Sequence, residues 1–202
     1  MISAAVGFRI HTGWAAAVAL VGWNTPAVRV VDRRRLSLVE TSSDDARFVF
    51  HRAAEREADT ATEYVAAARD GARRSALREM ERLVLDLRAA GFSIRAVGLP
   101  PEGRRRPTVL GDILRSHPLL HAAEAELFRD ALTEACVSVG LRVVVVPSKD
   151  RDLQAARGTG LRLGEVKALI GELGRPLGPP WALDQKDAAL AALVAAVGKD
   201  GG

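Results

Sequence analysis

Cysteine, aromatic side chains and long apolar runs are all scarce in this 202-residue chain. A single cysteine, Cys136, excludes an internal disulfide framework and any all-cysteine zinc site. It shares an apolar helical stripe with Leu127, Phe128, Leu132 and Val139, which is the placement of a core thiol rather than a nucleophile. Aromatics supply 4% of the residues while 48% are hydrophobic, so packing must rely on Ala, Val and Leu. No apolar span of about 20 residues is present to cross a bilayer. Arg9 and His11 interrupt the apolar N-terminus where a signal peptide would need continuity, so the expectation is a cytoplasmic protein with no membrane partner.

Charge is nearly balanced. Lys plus Arg number 29 against 25 Asp plus Glu, a net +4, and arginine far outnumbers lysine. The guanidinium fork matches phosphate bidentately, so a phosphate-rich partner is one reading of this bias and a GC-rich coding sequence is the other. The length suits one domain, expected over 1–198, with 199–202 a flexible tail.

Period-two alternation of Val6, Phe8 and Ile10 with Gly7, Arg9 and His11 predicts a strand over 4–13. The nearly all-apolar 14–23 and the segment 27–40 complete an antiparallel meander. Helical spacing then runs from about 52 to 90, with Gly71 as a possible break. A strand at 92–101 closes on two prolines, and 103–112 reads as a loop. Ser116 and Pro118 start a helix that ends at Gly140, and 141–148 is the clearest strand of all. A glycine-containing loop, a short helix near 164–173, the break "RPLGPP" and a final helix opened by Asp184 and Asp187 follow. The expected fold is therefore α/β: a five-stranded mixed sheet of three antiparallel and two parallel strands, with helices on both faces.

This order resembles the ribonuclease H-like fold. The segment 158–196, "GTGLRLGEVKALIGELGRPLGPPWALDQKDAALAALVAA", is similar to the closing segment of RuvC-type Holliday-junction resolvases, with its D-x-x-D-A motif. The start, "VGFRIHTGWAAAV", resembles that family's glycine-rich first hairpin. The resemblance implies phosphodiester hydrolysis by two divalent ions, Mg2+ or Mn2+, on DNA or RNA, with Asp184 and Asp187 as two of four acidic ligands. Two departures stand out. Arg9 occupies the place of the first-strand acid, and Val97, Gly98 and Leu99 occupy the end of the fourth strand, where a Glu is expected; Glu102 comes only beyond the prolines. The expected function is a resolvase-related, nucleic-acid-binding domain with a degenerate or rebuilt site.

Several clusters are candidates for that site. Asp184 and Asp187, three apart, face the same way on a helix and suit either a metal or a helix start. His117, His121 and Glu124 offer two imidazoles and a carboxylate on one helical face, the ligand types of a zinc site. Glu124, His121 and Asp187 are the candidate catalytic groups. Arg9 and His11 share one face of the first strand and, joined by His121 and Glu124, would form an anion site. Arg33, Arg34 and Arg35 in a strand and Arg104, Arg105 and Arg106 in a loop are candidate nucleic-acid contacts. His51 is isolated and carries no expectation. A small-molecule or anion-binding protein, or a homodimeric interaction module using the helical region 52–90, is the alternative.

Overall fold

The computed structural model describes residues 1–23, 25, 27–41, 43–103 and 109–198. The alternating N-terminal segment forms β1 (Ile2–His11), which turns back at Gly13, with a φ of 82°, into β2 (Trp14–Val21). Next comes β3 (Arg29–Ser37), and the three strands pair antiparallel. Two parallel additions, β4 (Phe92–Leu99) and β5 (Val143–Val145), complete one sheet in the order β3-β2-β1-β4-β5. This is the expected ribonuclease H-like arrangement.

Helices cover both faces, as central strands buried on two sides require. Between β3 and β4 lie the short α1 (Asp44–Arg47) and α2 (Val49–Ala54) and the long α3 (Ala58–Ala89). Between β4 and β5 lie α4 (Leu110–Leu114) and α5 (His117–Ser138). After β5 come α6 (Arg151–Thr159), α7 (Leu163–Glu172) and α8 (Leu183–Val197). Val6 and Phe8 of β1 point into a core made by Met80 and Leu83 of α3 with Phe128, Leu132 and Cys136 of α5. Val18 and Leu20 of β2 pack on the opposite face against Val166 and Ile170 of α7 and the alanines of α8. Among the described residues no helix is long and apolar enough to cross a membrane.

The close seating of α8 on the sheet depends on two glycines. Gly7 and Gly98 are register partners on β1 and β4. A Cβ on Gly7 would lie 2.0 Å from the Ala188 carbonyl oxygen, and one on Gly98 2.4 Å from that of Ala191. Helix backbone thus rests on strand backbone, and Ala188, Ala191 and Ala192 are the side chains small enough to allow it.

The structure differs from the sequence expectation in four places. Gly71 does not break α3, whose interior it occupies; the chain breaks instead at 55–57, ahead of Ala58. The glycine-containing stretch before α7 is the end of a helix, α6, with Gly160 in the left-handed conformation at its C-cap. Gly158 lies inside that helix, and a Cβ there would meet Val197 Cγ2 at 2.1 Å. The region read as strand over 141–148 pairs only through three residues, because β5 is an edge with one neighbour and Pro147 cannot donate to a ladder. Part of the stretch read as loop over 103–112 is the start of α4.

Candidate functional site

Alternation along β1 sends Gly7, Arg9 and His11 to the α8 side of the sheet. Gly7 meets the body of α8, so Arg9 and His11, further along the strand, meet its N-terminal turns. Asp184 and Asp187 do face the same way, and they face these two bases. His11 Nε2 is 2.8 Å from Asp184 Oδ1, and Arg9 lies 4.0 Å from Asp184 Oδ1 and 3.7 Å from Asp187 Oδ2. Arg151, from the start of α6, donates to Asp187 Oδ2 at 3.1 Å and to its backbone carbonyl at 3.4 Å. Neither aspartate caps the helix. The N-cap is Ala182, whose N–H donates to Gln185 Oε1 at 3.0 Å, and Asp184 sits in the first turn, where a negative charge favours the helix dipole. Trp181 anchors the preceding break, donating from Nε1 to the Ile170 carbonyl at 2.8 Å.

The donor set does not fit two divalent ions. Arg9 and Arg151 contribute two positive charges against two negative ones on Asp184 and Asp187, so an incoming cation meets no net attraction. The end of β4 adds no acid, since Leu99 is buried there. Glu102, beyond the prolines, is 3.4 Å from the Arg129 guanidinium.

These bases open onto a cleft of about 380 Å³ at the C-terminal ends of β1 and β4, lined also by Pro100, Pro101, Glu126, Arg129 and Ser148. Ligands in open α/β sheets bind at such strand ends. Among the described residues Arg9 forms ion pairs but no hydrogen bond, and the Nε atoms of both Arg9 and Arg151 are buried without a hydrogen-bond partner. A guanidinium with open donors beside a cleft is suited to an oxyanion.

The expected grouping of His121 and Glu124 with Arg9 and His11 does not occur. Residues two apart on a helix point nearly opposite ways, so Glu126 reaches the cleft and Glu124 turns from it. Glu124, only 2% exposed, instead accepts from His51 Nδ1 at 2.8 Å. His117 and His121 join the same cluster, their Nε2 atoms 3.1 Å apart. His51 is therefore not isolated; the pairing spans 73 positions, and no local pattern signals it.

The strand arginines alternate as strand geometry demands. Arg33 donates to the carbonyls of Gly178 and Pro180 at 2.9 and 2.6 Å. The Arg35 guanidinium lies 3.9 Å from the Trp14 ring, which in turn stacks on His11 at 4.3 Å. Arg34 faces the other way, bound by Asp32 and, at 2.7 Å, by Asp86 of α3; the hydrogen bonds it donates to Asp32 push its pKa upward. Arg34 is thus held between β3 and α3 by two carboxylates. Arg104, Arg105 and Arg106 lie outside the described residues.

No protein-family model matches the chain, and no curated protein matches it. Among solved structures the chain is similar to Thermus thermophilus RuvC at 15% identity, over 98% of this chain and 94% of that one, with a TM-score of 0.50. It is also similar to T. thermophilus RuvC in complex with Holliday junction substrate, at 14% identity over 98% and 93% of the two chains, with a TM-score of 0.52. Full-length likeness at so low an identity speaks to architecture, and the architecture is that of the RuvC-type, ribonuclease H-like fold.

Proposed function

We propose that this protein binds branched or otherwise structured nucleic acid through its phosphates and does not hydrolyse it by a two-metal route. The observation that carries this reading is Arg9, a guanidinium 3.7 Å from Asp187 at the strand position where the resemblance calls for an acid. Arg9 and Arg151 line one cleft and share Asp187, so an approaching phosphate would meet two forks already held in place. Arg104 to Arg106 come in the sequence after Pro100 and Pro101 of the cleft wall, with Glu102 and Gly103 between, and on this reading would extend the contact along the phosphate backbone. The fold is that of a protein seen in complex with Holliday junction substrate, which makes a four-way junction the first ligand to try.

Fluorescence anisotropy on a labelled four-way DNA junction, a linear duplex and an RNA hairpin tests the proposal. Binding that persists in EDTA and weakens linearly in log salt is expected, with no cleavage after Mg2+ or Mn2+ is added. Absence of binding at about 50 mM salt, or cleavage that Asp184→Asn/Asp187→Asn abolishes, overturns it.

The limited volume of the cleft, about 380 Å³ with Arg9, Arg129 and Arg151 in its lining, favours a second reading, a small phosphorylated compound as the ligand. In that case Arg9→Ala abolishes binding of the small anion and leaves junction affinity unchanged.

A further inference from the structure

We propose that His51, His117 and His121 form a site for a divalent transition ion of the zinc class, with Glu124 as the positioning residue behind His51. One ligand nitrogen from each imidazole lies within 4.8 Å of the others. Tetrahedral zinc with bonds of about 2.0–2.1 Å sets its nitrogens roughly 3.3 Å apart. The His117 and His121 Nε2 atoms already stand 3.1 Å apart, and both side chains are exposed and can turn.

The local structure explains this convergence. His117 and His121 are four apart on α5, with Pro118 fixing the first turn between them. His51 arrives from α2, which packs across the same end of α5.

Glu124 supplies the independent observation. It is one of very few buried charged groups among the described residues, it takes no part in the cleft, and its Oε1 accepts from His51 Nδ1 at 2.8 Å. A carboxylate on Nδ1 keeps the proton there and leaves Nε2 as a lone-pair donor, which is the arrangement found behind metal-bound histidines. Two imidazole nitrogens at 3.1 Å are spaced for an N–H···N hydrogen bond in the empty site and for adjacent corners of one ion's coordination shell in the filled one.

Three neutral imidazoles select zinc, cobalt, nickel or copper over magnesium and calcium, which need oxygen. The site therefore differs in chemistry, as well as in place, from anything built on Asp184 and Asp187. It has three protein ligands and opens to solvent at His117 and His121, which leaves a fourth position for water.

Calorimetric titration of the chelator-stripped full chain with Zn2+ tests the assignment. One equivalent bound at micromolar affinity or better is expected, with Co2+ giving the visible absorption of a tetrahedral nitrogen site. His121→Ala and His117→Ala, at exposed positions that should not disturb folding, should each lose that binding. Glu124→Gln should weaken it by roughly 10- to 100-fold, and Asp184→Asn/Asp187→Asn should leave it intact. Two results overturn the assignment: no Zn2+ bound by the wild-type chain at stoichiometric concentrations, or equal binding by the wild type and His121→Ala.

Discussion

The Arg9 guanidinium lies 3.7 Å from Asp187 Oδ2 and 4.0 Å from Asp184 Oδ1, joining the C-terminal end of β1 to the first turns of α8. One positive side chain thereby stands where the fold would otherwise collect acids around a cation. The contact belongs to a longer series: Arg35 over Trp14, Trp14 on His11, His11 to Asp184, Arg9 to both aspartates and Arg151 to Asp187. Each carboxylate has a basic side chain on both sides, His11 and Arg9 at Asp184 and Arg9 and Arg151 at Asp187.

Reversing the charge at residue 9 should create divalent-ion affinity. A divalent ion and Arg9 about 4 Å apart repel by on the order of 8 kcal/mol at an effective dielectric of 20. Arg9→Asp turns that repulsion into attraction and gives three acids facing one point. Calorimetry should show Mn2+ binding at millimolar concentrations or better in Arg9→Asp and none in the wild type. Junction cleavage should stay absent, because Leu99 still closes β4 without an acid. Micromolar Mn2+ binding by the wild type would contradict the matched-charge account.

Gly7→Ala should unseat α8. The new methyl would lie 2.0 Å from Ala188 O and 2.2 Å from Ala192 N, and both are helix backbone that cannot rotate aside. Overpacking of this kind costs about 3 kcal/mol or more. Urea unfolding should report that loss, and a Gly7→Ala chain as stable as wild type would mean α8 sits further from the sheet.

The meander and the final helix were legible because each carries a local signal: period-two alternation in β1, an unbroken apolar run in β2, and alanines behind Asp184 and Asp187. The common direction of the two aspartates was legible for the same reason, since i,i+3 spacing fixes it. Their partners were not. Arg151 reaches Asp187 from a helix that Gly158 and Gly160 disguise as a loop, and a side chain at 158 would run into Val197. His51 was invisible as a partner of Glu124, because which residue of α2 meets α5 is decided by packing between elements. Gly71 misled in the opposite sense: it reads as a break, but α3 runs through it.

Cys136 should make stability fall in alkali. Burial alone pushes its thiol from 9.0 up to about 12. In that window the unfolded chain has lost the thiol proton while the folded chain keeps it, so rising pH favours unfolding. The contribution is about 1.4 kcal/mol per pH unit. Urea unfolding at pH 9, 10 and 11 should give a shallower decline for Cys136→Ala than for wild type. The folded protein should also resist thiol reagents at pH 8 and take up one equivalent on unfolding.

The two arginine runs should separate by salt dependence. Arg34 is held by Asp32 and Asp86, and Arg33 by two carbonyls, so a phosphate would have to break existing bonds to reach either. Arg34→Ala should therefore loosen β3 from α3 with junction affinity almost unchanged. On the proposed reading, Arg104→Ala/Arg105→Ala/Arg106→Ala removes three phosphate contacts. Each lost phosphate contact lowers the slope of log affinity against log salt by about 0.9, so the triple variant should lower it by about 2 to 3. Anisotropy across a salt series measures both. If Arg34→Ala flattened the slope as much as the triple variant does, the strand rather than the loop would be the nucleic-acid contact, and the Asp86 pairing would have to open on binding.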